Sequence, residues 1–182
     1  MTLHTVGHGT LQADDLARLL DGAGIELVVD IRSHPGSRRH PQFGRAAMER
    51  WLPEHGLAYA WEPALGGRRS PLPETPNRAL TVPAFRGYAD HMATAEFAGG
   101  LDRVLTEAAA RPTAVMCAES AWWRCHRRLL SDAAVLLRHE RVLHLLHDGR
   151  IAEHRPMEEA HVDGGHLVYD AGRRPLPGTG TT

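Results

Sequence analysis

The sequence predicts an α/β fold: a single-domain three-layer sandwich with a mainly parallel, Rossmann-like sheet between helices. Short apolar runs such as Ile25-Glu26-Leu27-Val28-Val29-Asp30-Ile31 are nearly continuous, as strands covered on both faces are. These runs alternate with amphipathic helical stretches, which is the order expected of βαβ units. We expect the domain to cover residues 1–174 and to be followed by a disordered Pro/Gly/Thr tail over residues 175–182.

Five apolar runs, bounded by Gly, Pro or polar residues, have the length and composition of buried strands. They cover residues 3–7, 25–31, 57–61, 113–117 and 142–146. The pair Asp148-Gly149 then predicts a hairpin that returns as an antiparallel strand, and residues 166–170 predict one further edge strand. The sheet should therefore carry an antiparallel hairpin at its C-terminal edge.

Helical stretches fill the intervals between these strands. The first ends at Gly22, and the second covers residues 46–55. Apolar positions over residues 85–104 predict a third helical region, interrupted at Gly99-Gly100. A further helix should begin near Ser120, directly after the fourth strand.

Composition excludes some classes of protein. The 182 residues are 42% hydrophobic and 24% charged, which is ordinary for a soluble globular protein. A net charge of −1 argues against a general nucleic-acid coat protein, although all 21 basic residues are Arg, the better side chain for bidentate oxyanion contacts. No apolar run has the length of a membrane span, and no signal peptide is evident. With only two cysteines, we expect a cytoplasmic protein with reduced thiols.

The stretch over residues 114–130 carries the strongest chemical signal, because both cysteines lie in it beside Arg, His and Glu. A turn from strand to helix is where open α/β sheets bind ligands, and a helix N-terminus favours an anion. Neighbouring cations favour a reactive thiolate. The predicted catalytic residues are Cys117, Glu119, Cys125 and His126.

Two other turns that follow predicted strands are rich in arginine. Residues 32–45 contain four arginines with two prolines and two glycines, which indicates a loop that could cradle an oxyanion. Arg68 follows Gly66-Gly67 after the third strand. The predicted ligand-binding residues are His8, Arg32, Ser33, Arg38, Arg39, Gln42, Arg68, Ser120 and Arg127.

These residues leave three functions open. The first is an enzyme, a hydrolase or transferase, that acts on a phosphorylated or nucleotide-like small molecule in an Arg-lined pocket. It would use either a cysteine nucleophile or, with the cysteines incidental, Glu119 and His126 as acid and base. The second is a nucleic-acid or nucleotide-binding module that stacks bases on Trp122, Trp123 or Phe43. The third is a metal-binding protein that uses Cys117, Cys125 and His126, although their spacing lacks a paired Cys-x-x-Cys. The residues identify no cofactor and no oligomeric state.

Several short motifs, taken in their order along the chain, resemble those of the domain of unknown function 488 family of small bacterial and archaeal proteins. They are Thr5-Val6-Gly7-His8, Val29-Asp30-Ile31-Arg32-Ser33, Ser37-Arg38-Arg39, Pro41-Gln42-Phe43, Leu65-Gly66-Gly67, Cys117-Ala118-Glu119 and Cys125-His126-Arg127. One departure is Ile31, which stands where Val is usual. The resemblance implies an α/β domain with a shared polar site, but it implies no reaction, because the family has no established activity.

Overall fold

The computed structural model describes residues 1–36 and 39–170. It confirms the predicted fold class: a six-stranded, mainly parallel sheet between two layers of helices. The strands are β1 (Thr2–Gly7), β2 (Leu27–Asp30), β3 (Ala58–Trp61), β4 (Thr113–Cys117), β5 (Arg141–Leu145) and β6 (Ile151–Glu153). They pair in the order β3-β2-β4-β1-β5-β6, and β1 to β5 are all parallel. The predicted tail and Arg38 lie outside the described residues.

The antiparallel edge hairpin is present, since β6 pairs antiparallel with β5. The prediction that residues 166–170 join this sheet is wrong. Strands β7 (Ala160–Asp163) and β8 (His166–Tyr169) instead form a separate two-stranded antiparallel sheet. Leu167 and Tyr169 are buried in the core beneath the helices, and the Tyr169 hydroxyl donates to Asp132, so these side chains draw β8 onto the helical layer.

Two helices cover one face of the sheet and three cover the other. On the first face, α1 (Ala13–Gly22) and α2 (Arg45–Glu54) pack the buried side chains of Leu16, Leu20, Met48 and Leu52 against the strands. On the second face, α3 (Pro83–Met92), α4 (Ala95–Ala110) and α5 (Arg127–Arg138) form the larger core. In the part of the chain that the structure describes, no helix is both long and apolar enough to cross a membrane.

The predicted interruption at Gly99-Gly100 is wrong. The break falls at Ala93 and Thr94, where the Thr94 hydroxyl accepts a hydrogen bond from the Phe97 amide at 3.2 Å and caps α4. Gly99 and Gly100 lie inside α4. A β-carbon at Gly100 would stand 3.0 Å from that of Ala64, so this glycine allows the helix to approach the turn after β3.

The helix predicted to begin near Ser120 begins at Arg127 instead. Residues 118–126 form a wide turn that contains a short 3₁₀ segment, Trp122–Arg124. The physical reason is the Arg127 guanidinium, which donates to the backbone carbonyls of Glu119 and Ser120 and holds the turn around itself. An anion site at a helix start near Ser120 is therefore also wrong.

Strands β1 and β4 are neighbours, but the chain leaves them towards opposite faces: β1 leads to α1, and β4 leads to α5. Such a switch point opens a crevice between the carboxyl ends of the two strands, which is where doubly wound sheets bind ligands. The fold thus places residues 8–10 and the turn over residues 118–126 on the two sides of one crevice.

Candidate functional site

A cleft of about 740 Å³ opens at this crevice, within the usual range for small-molecule sites of about 300–1,000 Å³. Most of the predicted site residues line it: His8, Arg32, Ser33, Arg39, Arg68, Cys117, Glu119, Ser120, Cys125 and His126. Among the described residues, the lining also includes Arg124, His34, His40 and His147, for a total of four arginines and five histidines against one glutamate. Arginine and histidine side chains therefore outnumber carboxylates along the described part of the lining.

The two cysteines form a close pair at the base of the cleft. Their sulfur atoms lie 2.8 Å apart, and both are free and buried. The Arg127 Nε donates to the Cys117 sulfur at 3.1 Å, and the His126 Nδ1 lies 3.5 Å from the Cys125 sulfur. A buried thiol pair among such donors can hold one negative charge.

That charge belongs on Cys125. Burial, together with the neighbouring Cys125, holds the pKa of the Cys117 thiol well above its ordinary value. Burial also opposes ionisation of Cys125, but the hydrogen bond from Cys117 and the interactions with His126 and Arg127 outweigh it and hold the pKa of Cys125 well below its ordinary value. Cys117 thus donates its proton towards Cys125, and the arrangement can supply a thiolate nucleophile below the pH at which an ordinary thiol ionises.

Arg127 is fully buried and lies beneath the cleft, outside its lining, so its predicted role as a direct ligand contact is wrong. Besides the Cys117 sulfur, its guanidinium donates to the Thr5 hydroxyl at 3.2 Å and to two backbone carbonyls. Its charge therefore acts on the thiols from below.

Arg32 lines the cleft but is bound to Asp30, a fully buried carboxylate at the end of β2. The Arg32 Nε and NH2 donate to the two carboxylate oxygens at 2.8 and 2.6 Å, and NH1 donates to the His8 Nε2 at 3.2 Å. His8 consequently carries its hydrogen on Nδ1 and donates to the Gly9 carbonyl at 2.9 Å. Burial, with the Arg32 charge as the next cause, lowers the pKa of His8 to about 4, so His8 is neutral at neutral pH.

The other predicted residues divide between ligand-facing and structural positions. The exposed side chains of Arg39 and Arg68 line the cleft, as do those of Glu119 and Ser120. Ser33 also lines it but donates to the Gly67 carbonyl at 2.7 Å. Gln42 does not line the cleft, because its amide donates to the Leu11 carbonyl and ties two loops together. Arg38 lies outside the described residues.

The sequence reasoning missed several residues of this site. His147 follows β5 and donates to the Gly7 carbonyl at 2.7 Å, so the strand-end argument used elsewhere would have found it. The spacing Asp30-x-Arg32 was a signal for the buried ion pair. Arg124 was visible as a neighbour of Cys125, but only the turn places it in the cleft.

The metal alternative has no geometric support. Across residues 1–36 and 39–170, no group of three or more His, Cys, Asp or Glu side chains is arranged to hold a metal ion. Cys117, Cys125 and His126 are instead connected by hydrogen bonds in which the sulfurs take part.

The family model "Domain of unknown function DUF488" matches residues 12–134 of the chain. The chain belongs to this family. No curated protein and no solved structure matches it. The DUF488 match includes both cysteines, Arg32 and Arg68, whereas His8 and His147 lie outside the matched range. The description of the family names no activity.

Proposed function

We propose that this protein is a thiol enzyme, a hydrolase or transferase, that acts on a phosphorylated or nucleotide-like small molecule. The observation that supports the proposal most directly is the Cys117–Cys125 pair, whose sulfur atoms lie 2.8 Å apart in a cleft lined by arginines. A nucleophile with a lowered pKa and cations for a phosphate are two requirements of such chemistry. Reduced thiols are compatible with action in the cytoplasm.

The reaction proposed is displacement at phosphorus. The Cys125 sulfur forms a bond to phosphorus while the bond to the leaving oxygen breaks, and Glu119 gives a proton to that oxygen. Water then attacks phosphorus, the S–P bond breaks, and Glu119 takes a proton from the water; another acceptor in place of water makes the reaction a transfer. Arg39, Arg68 and Arg124 line the same cleft and would hold the phosphate oxygens.

The first test is binding. A thermal-shift screen would use inorganic phosphate, nucleoside monophosphates and sugar phosphates as probes. Each charge-assisted contact contributes about 1.5–3 kcal/mol, so Arg124→Ala should weaken binding by roughly ten- to a hundredfold. Arg18→Ala is the matched control, because the Arg18 side chain is 72% exposed on α1 and lies outside the cleft lining. Equal affinities in the two variants would contradict the proposed phosphate site.

The second test is turnover of the compounds that bind. Cys125→Ser should abolish turnover and the phosphorylated enzyme that quenching with denaturant at alkaline pH traps, whereas Cys117→Ser should retain a measurable trapped species. Binding without turnover, or turnover that survives Cys125→Ser, would contradict the thiol mechanism.

A specific observation favours one second candidate, a nucleic-acid or nucleotide-binding module. Trp123 is 52% exposed in the turn that carries Arg124, and an aromatic ring beside a guanidinium is a common platform for a base. Affinity for a single strand that falls steeply with salt and is lost in Trp123→Ala would favour this module over the enzyme.

A further inference from the structure

Beneath the thiol pair, Arg127 is connected to a continuous chain of buried polar groups. Its NH1 donates to the Thr5 hydroxyl, which lies 2.7 Å from the His144 Nδ1. The His144 Nε2 lies 3.0 Å from the His154 Nδ1, and the His154 Nε2 lies 2.8 Å from an oxygen of Asp132. Thr5, His144 and Asp132 are fully buried, and His154 is 5% exposed.

The members of this chain come from four separate parts of the fold. Thr5 lies on β1, His144 lies on β5, His154 follows β6, and Asp132 lies on α5 one turn after Arg127. Buried polar groups are costly unless each finds a partner, so an arrangement that connects five of them is strongly specified.

One assignment of hydrogens satisfies every contact in the chain. Asp132 also accepts from the Tyr169 hydroxyl at 2.9 Å and the Met157 amide at 3.2 Å, so both of its oxygens act as acceptors. His154 then donates from Nε2 to Asp132 and accepts at Nδ1 from the Nε2 of His144. His144 accepts at Nδ1 from the Thr5 hydroxyl, whose oxygen accepts from Arg127. Burial, followed by the interactions with His154 and Arg127, lowers the pKa of His144 to about 3, so this ring is neutral as the assignment requires.

We propose that Asp132, His154 and His144 are positioning residues that hold Arg127 against the thiol pair through Thr5 and so set the reactivity of Cys125. A carboxylate at one end of a hydrogen-bonded chain polarises each bond in turn and makes the Thr5 oxygen a better acceptor for Arg127. Arg127 is thereby fixed with its Nε towards the Cys117 sulfur. In metal sites of other proteins, a carboxylate or carbonyl that accepts a hydrogen bond from a metal-binding histidine orients that ring in the same indirect way.

A second contact connects the same chain to the reactive turn. The Trp122 ring stacks on His144, with ring centres 4.0 Å apart and planes 8° from parallel. Trp122 begins the 3₁₀ segment that leads into Cys125. His144 therefore supports Arg127 from one side and the backbone before Cys125 from the other.

The experiment is the pH dependence of Cys125 alkylation by iodoacetamide, followed by mass spectrometry at temperatures where each variant is folded. Thr5→Val and Asp132→Asn should each raise the midpoint of alkylation by about one pH unit, which is a tenfold slower rate below the midpoint. Thr5→Ser keeps the hydroxyl and should restore the wild-type midpoint. The other titratable groups that face the thiols, His126 and Tyr88, are unchanged in these variants.

Asp90→Asn is the matched control, since Asp90 accepts from Thr75 and Asn77 in a separate network. A purely structural role for the chain predicts lower melting temperatures in Asp132→Asn and Asp90→Asn alike, with the alkylation midpoint unmoved, and that result would overturn the inference. If the protein hydrolyses phosphate esters but the alkylation midpoints of Thr5→Val and Asp132→Asn equal that of the wild type, this inference is overturned and the proposed function is not. If the alkylation midpoints of these variants rise but the protein turns over no phosphorylated compound, only the proposed function is overturned.

A measurement on the wild-type protein covers the case in which the variants do not fold. Alkylation of Cys125 removes its negative charge, and a coupled chain should respond at the ring nitrogens of His144 and His154 in nitrogen-15 NMR spectra. Ring resonances that stay in place after complete alkylation, at a temperature where the alkylated protein is still folded, would overturn the coupling.

Discussion

At the scale of single residues, the separation between His126 and Cys125 depends on a glycine. A β-carbon at Gly67 would stand 2.8 Å from the His126 Nδ1, the atom that lies nearest the Cys125 sulfur. Only a residue without a side chain lets the turn after β3 approach the imidazole so closely. The turn after β3 therefore packs closely against the turn after β4, with Gly67 against the ring of His126 beside Cys125.

Gly67→Ala should push the His126 ring away from Cys125 and weaken the thiolate. Hydrogen bonds to charged groups contribute about 1.5–3 kcal/mol, so the alkylation rate of Cys125 at a pH below its midpoint should fall by about tenfold or more. Gly22→Ala, which places a β-carbon in open space, is the control and should react like wild type. An unchanged rate in Gly67→Ala would mean that His126 does not stabilise the thiolate.

His8 should remain neutral down to about pH 4, because burial and the Arg32 charge lower its pKa to about 4. In NMR titrations of the histidine rings, its resonances should stay constant from pH 8 to about pH 5 and shift only below that. An ordinary midpoint near 6.5 would show that the His8 ring is not buried beside Arg32 in solution.

The sequence was sufficient to name most residues of the cleft, for a physical reason. Parallel strands end at one edge, so residues at the end of a predicted strand or directly after it, such as Cys117 and Arg32, had to converge. It was not sufficient for Arg127, which the residue pattern could not distinguish from an exposed ligand contact. Nor did it reveal the chain from Thr5 to Asp132, because those residues meet only when β1, β5 and α5 are packed together.

At the scale of elements, a side-chain cap at Thr94 sets the boundary between α3 and α4, which the glycine content had predicted at Gly99-Gly100. Two adjacent glycines suggested a break in the long helical region, but both are tolerated inside α4, and the single hydroxyl of Thr94 begins that helix. A glycine in a helix costs only about 1 kcal/mol, which packing against the turn after β3 can offset. The strands were predicted more reliably, because an apolar run buried on both faces has few other places to lie.

Thr94→Ala should lower the free energy of unfolding by about 1 kcal/mol, the usual value of a lost N-cap, as measured by urea denaturation. Thr106→Ala is a matched control, because the exposed Thr106 lies inside α4 and its hydroxyl donates only to the carbonyl one turn earlier. Equal losses in the two variants would contradict the capping role.

At the scale of the whole molecule, the thiols and the buried histidines make stability depend on pH. The folded pKa of Cys125 is lowered, so between that value and the unfolded pKa of about 8.5 the unfolded chain binds more protons and stability rises with pH. Above about 8.5 the sign reverses, because the unfolded chain loses both thiol protons while Cys117 keeps its own. On the acid side, the lowered pKa values of His8 and His144 reduce stability as the pH falls below about 6.5.

We therefore expect a peak near pH 8.5 in the difference between two free energies of unfolding, that of the wild-type protein and that of the Cys117→Ser/Cys125→Ser variant. The rise below the peak should be at most about 1.4 kcal/mol per pH unit, as measured by denaturant unfolding under reducing conditions between pH 6 and 10. Subtracting the double variant removes the histidine contribution, which the two proteins share. A flat difference across this range would mean that neither thiol has a shifted pKa.

The burial of Arg127 has a consequence for any covalent inhibitor of this protein. The described contacts of its guanidinium include no carboxylate, so the negative charge that balances it is the thiolate above. A compound that caps Cys125 leaves this cation buried without a counter-charge, and uncompensated buried charges are strongly destabilising. Blocking the cleft would thus also shorten the protein's lifetime, because cellular proteases remove destabilised molecules faster.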